Sequence, residues 1–270
     1  YEPLLRTVQA LAAFEAAEED DAIVVYTGGT TGQPKGVRLS HRNIVMNALQ
    51  VGWETRPRAD DIFLHVAPMF HSAEFISNPF FLSGAAHVYL PRFSGSAVLE
   101  AIDRFKVTCT LLTPTMIINI LQAEDFHRYD MSSLRQIFYG SAPMAAEWIR
   151  RAMEGLRGVE FLQGYGLTET APILTILGMR EHELGCSSPG NQLLGSAGRQ
   201  VAGVELKIVN QEGVEVPTNE SAVRWWCAGP MWPGVTSIGR KPRTKPFEAV
   251  GFSLAMSVGW TRRGISIFWI

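Results

Sequence analysis

Cysteine is scarce: Cys109, Cys186 and Cys227 stand far apart. They match no metal-ligand spacing and no disulfide framework, so a reducing compartment, the cytoplasm, is expected. No apolar run reaches the roughly 20 residues of a membrane span, which excludes a helical transmembrane segment from the sequence given. An excess of one charge is also lacking. A net charge of -2 makes no electrostatic case for nucleic acid or an anionic membrane as partner. Glycine (25) and proline (15) are at ordinary levels, which excludes collagen-like and disordered repeats. The chain opens Tyr1-Glu2-Pro3 with neither Met nor signal peptide and reads as a piece of something longer. What is present is 270 residues, 46% of them apolar and 19% charged. That is enough for one large core or two modest ones.

The averages conceal a break. Up to Ser221 there are 17 Lys and Arg against 25 Asp and Glu; from Ala222 onward there are 7 against 1. Five of the seven tryptophans (Trp225, Trp226, Trp232, Trp260 and Trp269) also fall in that tail. A basic, aromatic partner-binding segment is one reading.

Before the break, short β-branched runs alternate with helical patterns. Strands are expected at 22–27, 62–67, 87–90, 108–112, 135–139 and 159–162. Helices are expected after an N-cap at Ser40 (with Ile44, Ala48 and Val51 on one face) and at 74–82, 98–105, 116–123 and 145–156. This alternation predicts an α/β fold, a mostly parallel sheet flanked by helices. Glycine-rich texture begins near Gly185, with a strand at 204–209 and a turn at Gln211-Glu212-Gly213. The expected division is an α/β core over 1–184, the start of a small β subdomain over 185–221, and an aberrant tail over 222–270.

After the first strand comes Thr27-Gly28-Gly29-Thr30-Thr31-Gly32-Gln33-Pro34-Lys35-Gly36. Glycines let backbone N–H groups converge on phosphate oxygens, threonines add hydroxyl donors, and Lys35 supplies a compact charge. It is not a P-loop, because Lys35 sits between Pro34 and Gly36 instead of opening a helix. The plain alternative is a flexible surface loop.

Tyr26–Gly36 resembles the signature loop of the adenylate-forming superfamily, which includes acyl-CoA synthetases, luciferases and peptide-synthetase adenylation domains. Gly28 stands where that family usually has Ser. Gln163-Gly164-Tyr165-Gly166-Leu167-Thr168-Glu169 resembles its second signature, and Gly140-Ser141-Ala142-Pro143 its segment beside the adenine. The stretch 195–209 also resembles the family, with Gln200 in place of Pro. The resemblance implies an ATP site formed by the loop, by Gly140, Ser141 and Ala142, and by Gln163, Gly164 and Gly166. Tyr165 would stack on adenine, Thr168 would bond the α-phosphate and Glu169 would hold Mg²⁺. Lys35, Thr168 and Glu169 are the implied catalytic residues.

Ala67-Pro68-Met69-Phe70-His71-Ser72 has the style of acyl- and aryl-CoA synthetases, whereas amino-acid-adenylating relatives place an Asp after this strand. Here no acid occurs until Glu74. His71 would line the carboxylate end of the pocket, or simply start a helix. Phe70, Phe75, Tyr139, Gly164 and the stretch from Ala171 to Leu174 are the expected apolar or small walls. The implied reaction joins a fatty or aryl acid to AMP from ATP, releasing pyrophosphate, and then transfers the acyl group to coenzyme A. An aryl-acid or amino-acid adenylating enzyme, or a non-catalytic nucleotide-binding remnant, is the alternative. The resemblance also implies a C-terminal lysine domain and a Thr-Gly-Asp block that are absent in frame, so the chain as given is expected to be inactive.

The tail from about Ala222 is expected to be an out-of-frame translation. Reading the third base of each codon with the first two of the next, Trp225-Trp226, Trp226-Cys227 and Met231-Trp232 each force Val. Residues 224–232 can then read Val-Val-Val-Arg-Gly-Pro-Asn-Val. Residues 250–270 can read a Gly-Trp-x-x-Thr-Gly-Asp-like block and a hairpin, with Trp260-Thr261 and Trp269-Ile270 dictating Asp. The shift accounts for the charge reversal and the excess of tryptophan without a partner. The nucleotide sequence near codons 219–222 should therefore carry a one- or two-base insertion or deletion relative to intact relatives; an uninterrupted frame there removes the argument.

Overall fold

The computed structural model describes residues 15–28, 34–187 and 192–209, and four further strands at 224–228, 236–238, 256–261 and 264–269. The chain begins with β1 (Asp21–Thr27), β2 (Lys35–Ser40), α1 (His41–Thr55), β3 (Ile62–His65), α2 (Asn78–Leu82) and β4 (Ala86–Tyr89). Next come α3 (Gly95–Phe105), β5 (Cys109–Leu112), α4 (Pro114–Leu121), β6 (Gln136–Gly140), α5 (Ala146–Gly155) and β7 (Glu160–Gly166). Then follow β8 (Ile173–Leu177), α6 (Met179–Ser187), β9 (Ser196–Gln200) and β10 (Glu205–Val209). The last strands are β11 (Arg224–Ala228), β12 (Thr236–Ile238), β13 (Met256–Thr261) and β14 (Gly264–Trp269).

The main sheet runs β13-β14-β9-β8-β7-β6-β5-β3-β4. From β4 to β7 every pairing is parallel; beyond β7 each is antiparallel. This is the expected mostly parallel α/β sheet. Successive residues serve opposite faces, as the period of two requires. Leu64, Ile137, Tyr139 and Phe161 join one core cluster with residues of α3, α4 and α5, while Phe63, Leu111, Phe138 and Leu162 join a second with Val51 and Phe80. Burial on both faces is why the strands read as continuous apolar runs. The chain passes from β3 outward to β4, then back across β3 to β5, so the winding reverses between β3 and β5. Ligands of open α/β sheets bind at such a switch point, beyond the strand carboxyl ends.

Outside this sheet, β1 and β2 form an antiparallel hairpin with Thr27 opposite Lys35; β12 adds to β2, and β10 pairs with β11. Ser40 caps α1 as expected. Its Oγ accepts from the Asn43 N–H, and Asn43 Oδ1 accepts from the Ser40 N–H at 2.8 Å. Ala48 and Val51 are buried, and Ile44 packs partly against the hairpin. The helix expected over 74–82 is instead a 3₁₀ turn (Ser72–Ser77) followed by α2. Pro79 has no N–H to continue a helix and takes the first turn of a new one. β8 was not legible, because a short, fully buried apolar run has no period to separate strand from helix; the short polar α6 was not expected either. The expected turn at 211–213 lies outside the described residues.

At the amino ends of the parallel strands, Asp61 receives a bidentate pair from Arg135, with Nε at 2.7 Å. Thr108 Oγ1 and the Arg58 N–H, each at 2.8 Å, also donate to it. Burial opposes ionisation of Asp61, but the bonds from Arg135, Thr108 and Arg58 prevail and hold its carboxyl below the usual range. The stability this contributes is present at neutral pH and lost as pH falls through the depressed value. Arg135→Met should strand the buried carboxylate and cost about 3–5 kcal/mol at pH 7 in urea unfolding. The gap between variant and wild type should narrow as acid protonates Asp61.

Candidate active site

Three segments leave the carboxyl ends of parallel strands, and a fourth belongs to the hairpin, whose base packs against them. The first follows β3. His71 N–H bonds back to the Pro68 carbonyl at 3.0 Å, and His71 Nδ1 accepts from the Ala73 N–H at 3.1 Å. Because Nδ1 accepts, the proton of neutral His71 sits on Nε2. Phe70 and His71 are exposed, and Phe75 is half-buried.

The second segment follows β6. Gly140 is buried opposite Gly164, and a Cβ there would lie 2.4 Å from the Gly164 carbonyl oxygen. Ser141 takes the left-handed conformation (φ 67°), a strained setting for a non-glycine residue; it, Ala142 and Pro143 are exposed.

The third segment leaves β7. A Cβ on Gly164 would lie 2.4 Å from the Phe138 ring, and one on Gly166 would lie 1.6 Å from the Pro172 carbonyl oxygen. The β7–β8 register slips between Tyr165 and Gly166. The chain then enters a 3₁₀ turn (Thr168–Thr170) closed by the Thr170 hydroxyl, which accepts from the Leu167 N–H at 2.9 Å and lies 2.8 Å from the Pro172 carbonyl. This turn leaves Thr168 and Glu169 partly exposed. Ala171 ends it in the left-handed conformation (φ 65°).

The fourth segment is the hairpin tip. Thr27 Oγ1 lies 3.5 Å from the Lys35 carbonyl, and Gly28 and Lys35 are exposed. Gly29, Thr30, Thr31 and Gly32 lie outside the described residues.

Two contacts join these segments. Ser72 Oγ is 2.8 Å from Thr168 Oγ1, tying the turn after β3 to the turn after β7. Buried Ala171 packs with Val25, Val37 and Leu39 of the hairpin and with Phe75. Phe70, His71, Phe75, Thr168, Glu169 and Ala171 thus belong to one neighbourhood that includes the base of the hairpin. Tyr165 is buried, in the cluster of Phe63, Phe138 and Ile173. Tyr139 is fully buried on the other face of the sheet, with Ile137 and Phe161. Its hydroxyl is 2.8 Å from His182 Nε2 and 3.2 Å from the Gln163 amide. His182 Nδ1 lies 2.7 Å from the Gly178 carbonyl, so it carries the proton, and Nε2 accepts from Tyr139. Burial pushes His182 down to about 4 and raises Tyr139.

Sequence reasoning missed Ser72, Thr170 and the buried Glu74–His65 pair. Only the adjacency of Ser72 to His71 hinted at the first.

Among the described residues Glu169 has no hydrogen-bond or ion-pair partner, and no group of three His, Cys, Asp or Glu gathers around it. The donor chemistry fits Mg²⁺, which keeps most of its waters and asks the protein for only one or two carboxylates.

A mostly parallel sheet with hydroxyl and carboxylate groups beyond its strand ends is an open α/β architecture, a class that binds ligands outside the carboxyl ends of its strands. The chain belongs to the AMP-binding enzyme family, whose sequence model matches residues 5–231. It is 34% identical over 213 residues to a 4-coumarate–CoA ligase of Humulus lupulus, covering 75% of this chain and 37% of that protein. It is likewise 34% identical to a feruloyl-CoA synthase of Amycolatopsis sp., covering 75% of this chain and 40% of the relative. Among solved structures, the anthranilate CoA ligase AuaEII in complex with anthranoyl-AMP superposes with a TM-score of 0.77 at 26% identity. That match covers 96% of this chain and 48% of that one. The chain therefore spans about two-fifths of the length of the curated relatives it matches.

Gly166→Ala should open the bulge, because its Cβ meets backbone and not a movable side chain. A loss of roughly 1–3 kcal/mol in urea unfolding is expected; a neutral result would show that the turn tolerates displacement.

Proposed function

We propose that this chain holds the nucleotide- and acid-binding core of an AMP-forming acid–thiol ligase acting on an aryl or fatty acid. The observation that carries the reading is the Ser72–Thr168 contact, which joins the Pro-x-Phe-His turn to the Thr-Glu turn at one crevice. In the first step a substrate carboxylate oxygen bonds to the α-phosphorus of ATP as the bond to pyrophosphate breaks. In the second, the thiol of coenzyme A bonds to the acyl carbonyl, AMP leaves, and the thiol proton passes to solvent. Mg²⁺, when bound, supplies charge neutralisation at the phosphates. Glu169 would hold the metal, Thr168 would donate its hydroxyl to the α-phosphate, and Lys35 with the amides of the hairpin tip would receive the leaving phosphates. Ser141 would hold the chain beside the adenine, and Tyr165 would give it an aromatic face. Phe70, His71 and Phe75 would border the acid.

One observation favours an acid without an α-ammonium group. Glu74, the first acid after β3, has its carboxylate engaged with buried His65 and so is not offered to a substrate amine. The core over 1–184 and the β subdomain from 185 would do the binding. The tail from 222 would be out of frame, though the family match runs to residue 231. Free thiols at Cys109 and Cys186 support a cytoplasmic setting. Among the described residues no helix is long and apolar enough to cross a membrane.

The full-length parent should release pyrophosphate with Mg-ATP and a hydroxycinnamic, benzoic or fatty acid, and then form the coenzyme A thioester. Glu169→Gln should lower the first step about a hundredfold or more and Lys35→Ala about tenfold. The 270-residue chain alone should bind nucleotide and form no thioester. Turnover of amino acids without thioester formation would favour the amino-acid adenylating alternative, and no pyrophosphate release with any acid would favour the remnant.

A further inference from the structure

Three titratable side chains line up beneath the turn that carries His71 and Ser72. Glu74 Oε2 lies 2.6 Å from His65 Nδ1, and His65 Nε2 lies 2.8 Å from His87 Nδ1. Glu74 and His65 are buried, at 4% and 2% exposure, and His87 is half-buried. Each imidazole is clamped by a neighbouring ring. His65 stacks on Tyr89 with centroids 4.3 Å apart, and His87 stacks on Phe81 at 3.5 Å.

Counting protons gives the chain a direction. Among the described residues, His87 Nε2 and Glu74 Oε1 are buried without a hydrogen-bond partner. A proton on His87 Nε2 would orphan a buried N–H donor, which folded proteins avoid more strictly than an orphaned acceptor. The proton therefore sits on His87 Nδ1, His87 donates to His65, and His65 donates to Glu74, whose carboxylate only accepts. Burial, with the neighbouring His65, pushes His87 down to about 4, so the outer imidazole stays neutral at pH 7.

Such a chain is a poor source of net stability, because removing three polar groups from water costs much of what their bonds return. What it does supply is geometry. Glu74 lies in the middle of the 3₁₀ turn: its N–H donates to the His71 carbonyl at 3.0 Å, and its own carbonyl accepts from Ser77 Oγ at 2.7 Å. Two residues earlier, Ser72 meets Thr168. Holding the Glu74 side chain to His65 on β3 therefore sets where Ser72 and His71 stand relative to the turn after β7.

We propose that Glu74 is a positioning residue for the carboxylic-acid end of the site, held by His65 and, through it, by His87 at the edge of the sheet. The inference rests on the adenylating reading above. It predicts a larger effect on the acid half of the site than on the nucleotide half, because the turn that Glu74 anchors carries Phe70, His71 and Phe75 themselves and meets the nucleotide half only indirectly, through Ser72 on Thr168 and Phe75 against the base of the hairpin.

The test measures dissociation constants of the 270-residue chain for Mg-ATP and for a non-hydrolysable acyl-adenylate mimic, coumaroyl sulfamoyl-adenosine. Glu74→Gln should weaken the mimic about tenfold and leave Mg-ATP within about twofold, the size expected for one charge-assisted hydrogen bond. His87→Phe, farther from the crevice, should weaken the mimic in the same sense by about threefold. It carries the test should Glu74→Gln fail to fold. Imidazole nitrogen resonances of ¹⁵N-histidine-labelled protein should report Nδ1–H tautomers at His65 and His87, with His65 shifting in Glu74→Gln. Unchanged affinity for the mimic in both variants overturns the positioning role and leaves the adenylating reading standing. Equal weakening of Mg-ATP and mimic overturns it as well, since that is general structural damage. A wild-type chain that binds neither probe, or Mg-ATP alone, overturns the reading of the acid site and this inference together.

Discussion

Strand β7 delivers its carboxyl end to the crevice only because glycine occupies positions 164 and 166. At Gly164 the Phe138 ring fills the space a Cβ would need, and at Gly166 the Pro172 carbonyl does. The same approach forces Gly140 on the neighbouring strand, where the Gly164 carbonyl leaves no room. Without these three contacts the strands could not end so close together. The slip in register at Tyr165 and Gly166 would lose its cause, and Thr168 would not reach Ser72. A close backbone approach of this kind cannot be relieved by a rotamer change, which makes it the firmest constraint in the region.

The two ends of the parallel sheet use charge in opposite ways. At the amino ends, Asp61 and Arg135 are paired, bonded and largely withdrawn from water. Beyond the carboxyl ends Glu169 is partly exposed, and on the separate β1–β2 hairpin Lys35 is exposed, with no side-chain partner for either among the described residues. Paired charges secure the strands; unpaired ones leave the crevice able to receive something charged. For Asp61, Arg135 and Glu169 the division follows from topology, since every parallel strand sends the loop that follows it to the same edge.

Between these ends, the buried polar groups act as spacers. Tyr139 and His182 hold α6 to β6, and Gln50 reaches the Ala202 carbonyl at 2.6 Å, linking α1 to the loop after β9. Glu74 and His65 belong to the same set. Tyr139 also fills core volume, but the polar contacts add something packing does not. Each fixes the separation of two elements that apolar packing alone would allow to slide.

Much of this was legible in the residues. Alternating apolar runs predicted the α/β sheet because a strand buried on both faces must be continuously apolar, and the side chain of Ser40 marked its helix start because an N-cap is a local bond. The glycine-rich loop and the Gly-Tyr-Gly-Leu-Thr-Glu stretch could be read because their chemistry lies in neighbouring residues. Tertiary structure alone decided the rest. It split the expected helix at 74–82 around Pro79, and revealed the polar helix α6 and the strand β8, a short buried run that lacks a telling period. Tyr139 went to the face opposite Phe138, since a residue's face depends on strand register and not on its chemistry. Ser72 met Thr168 across 96 positions of chain, and Glu74 met His65 and His87 from three separate elements. Contacts made by bringing distant segments together leave no spacing in the sequence, because the distance that matters is set by the sheet and not by the chain.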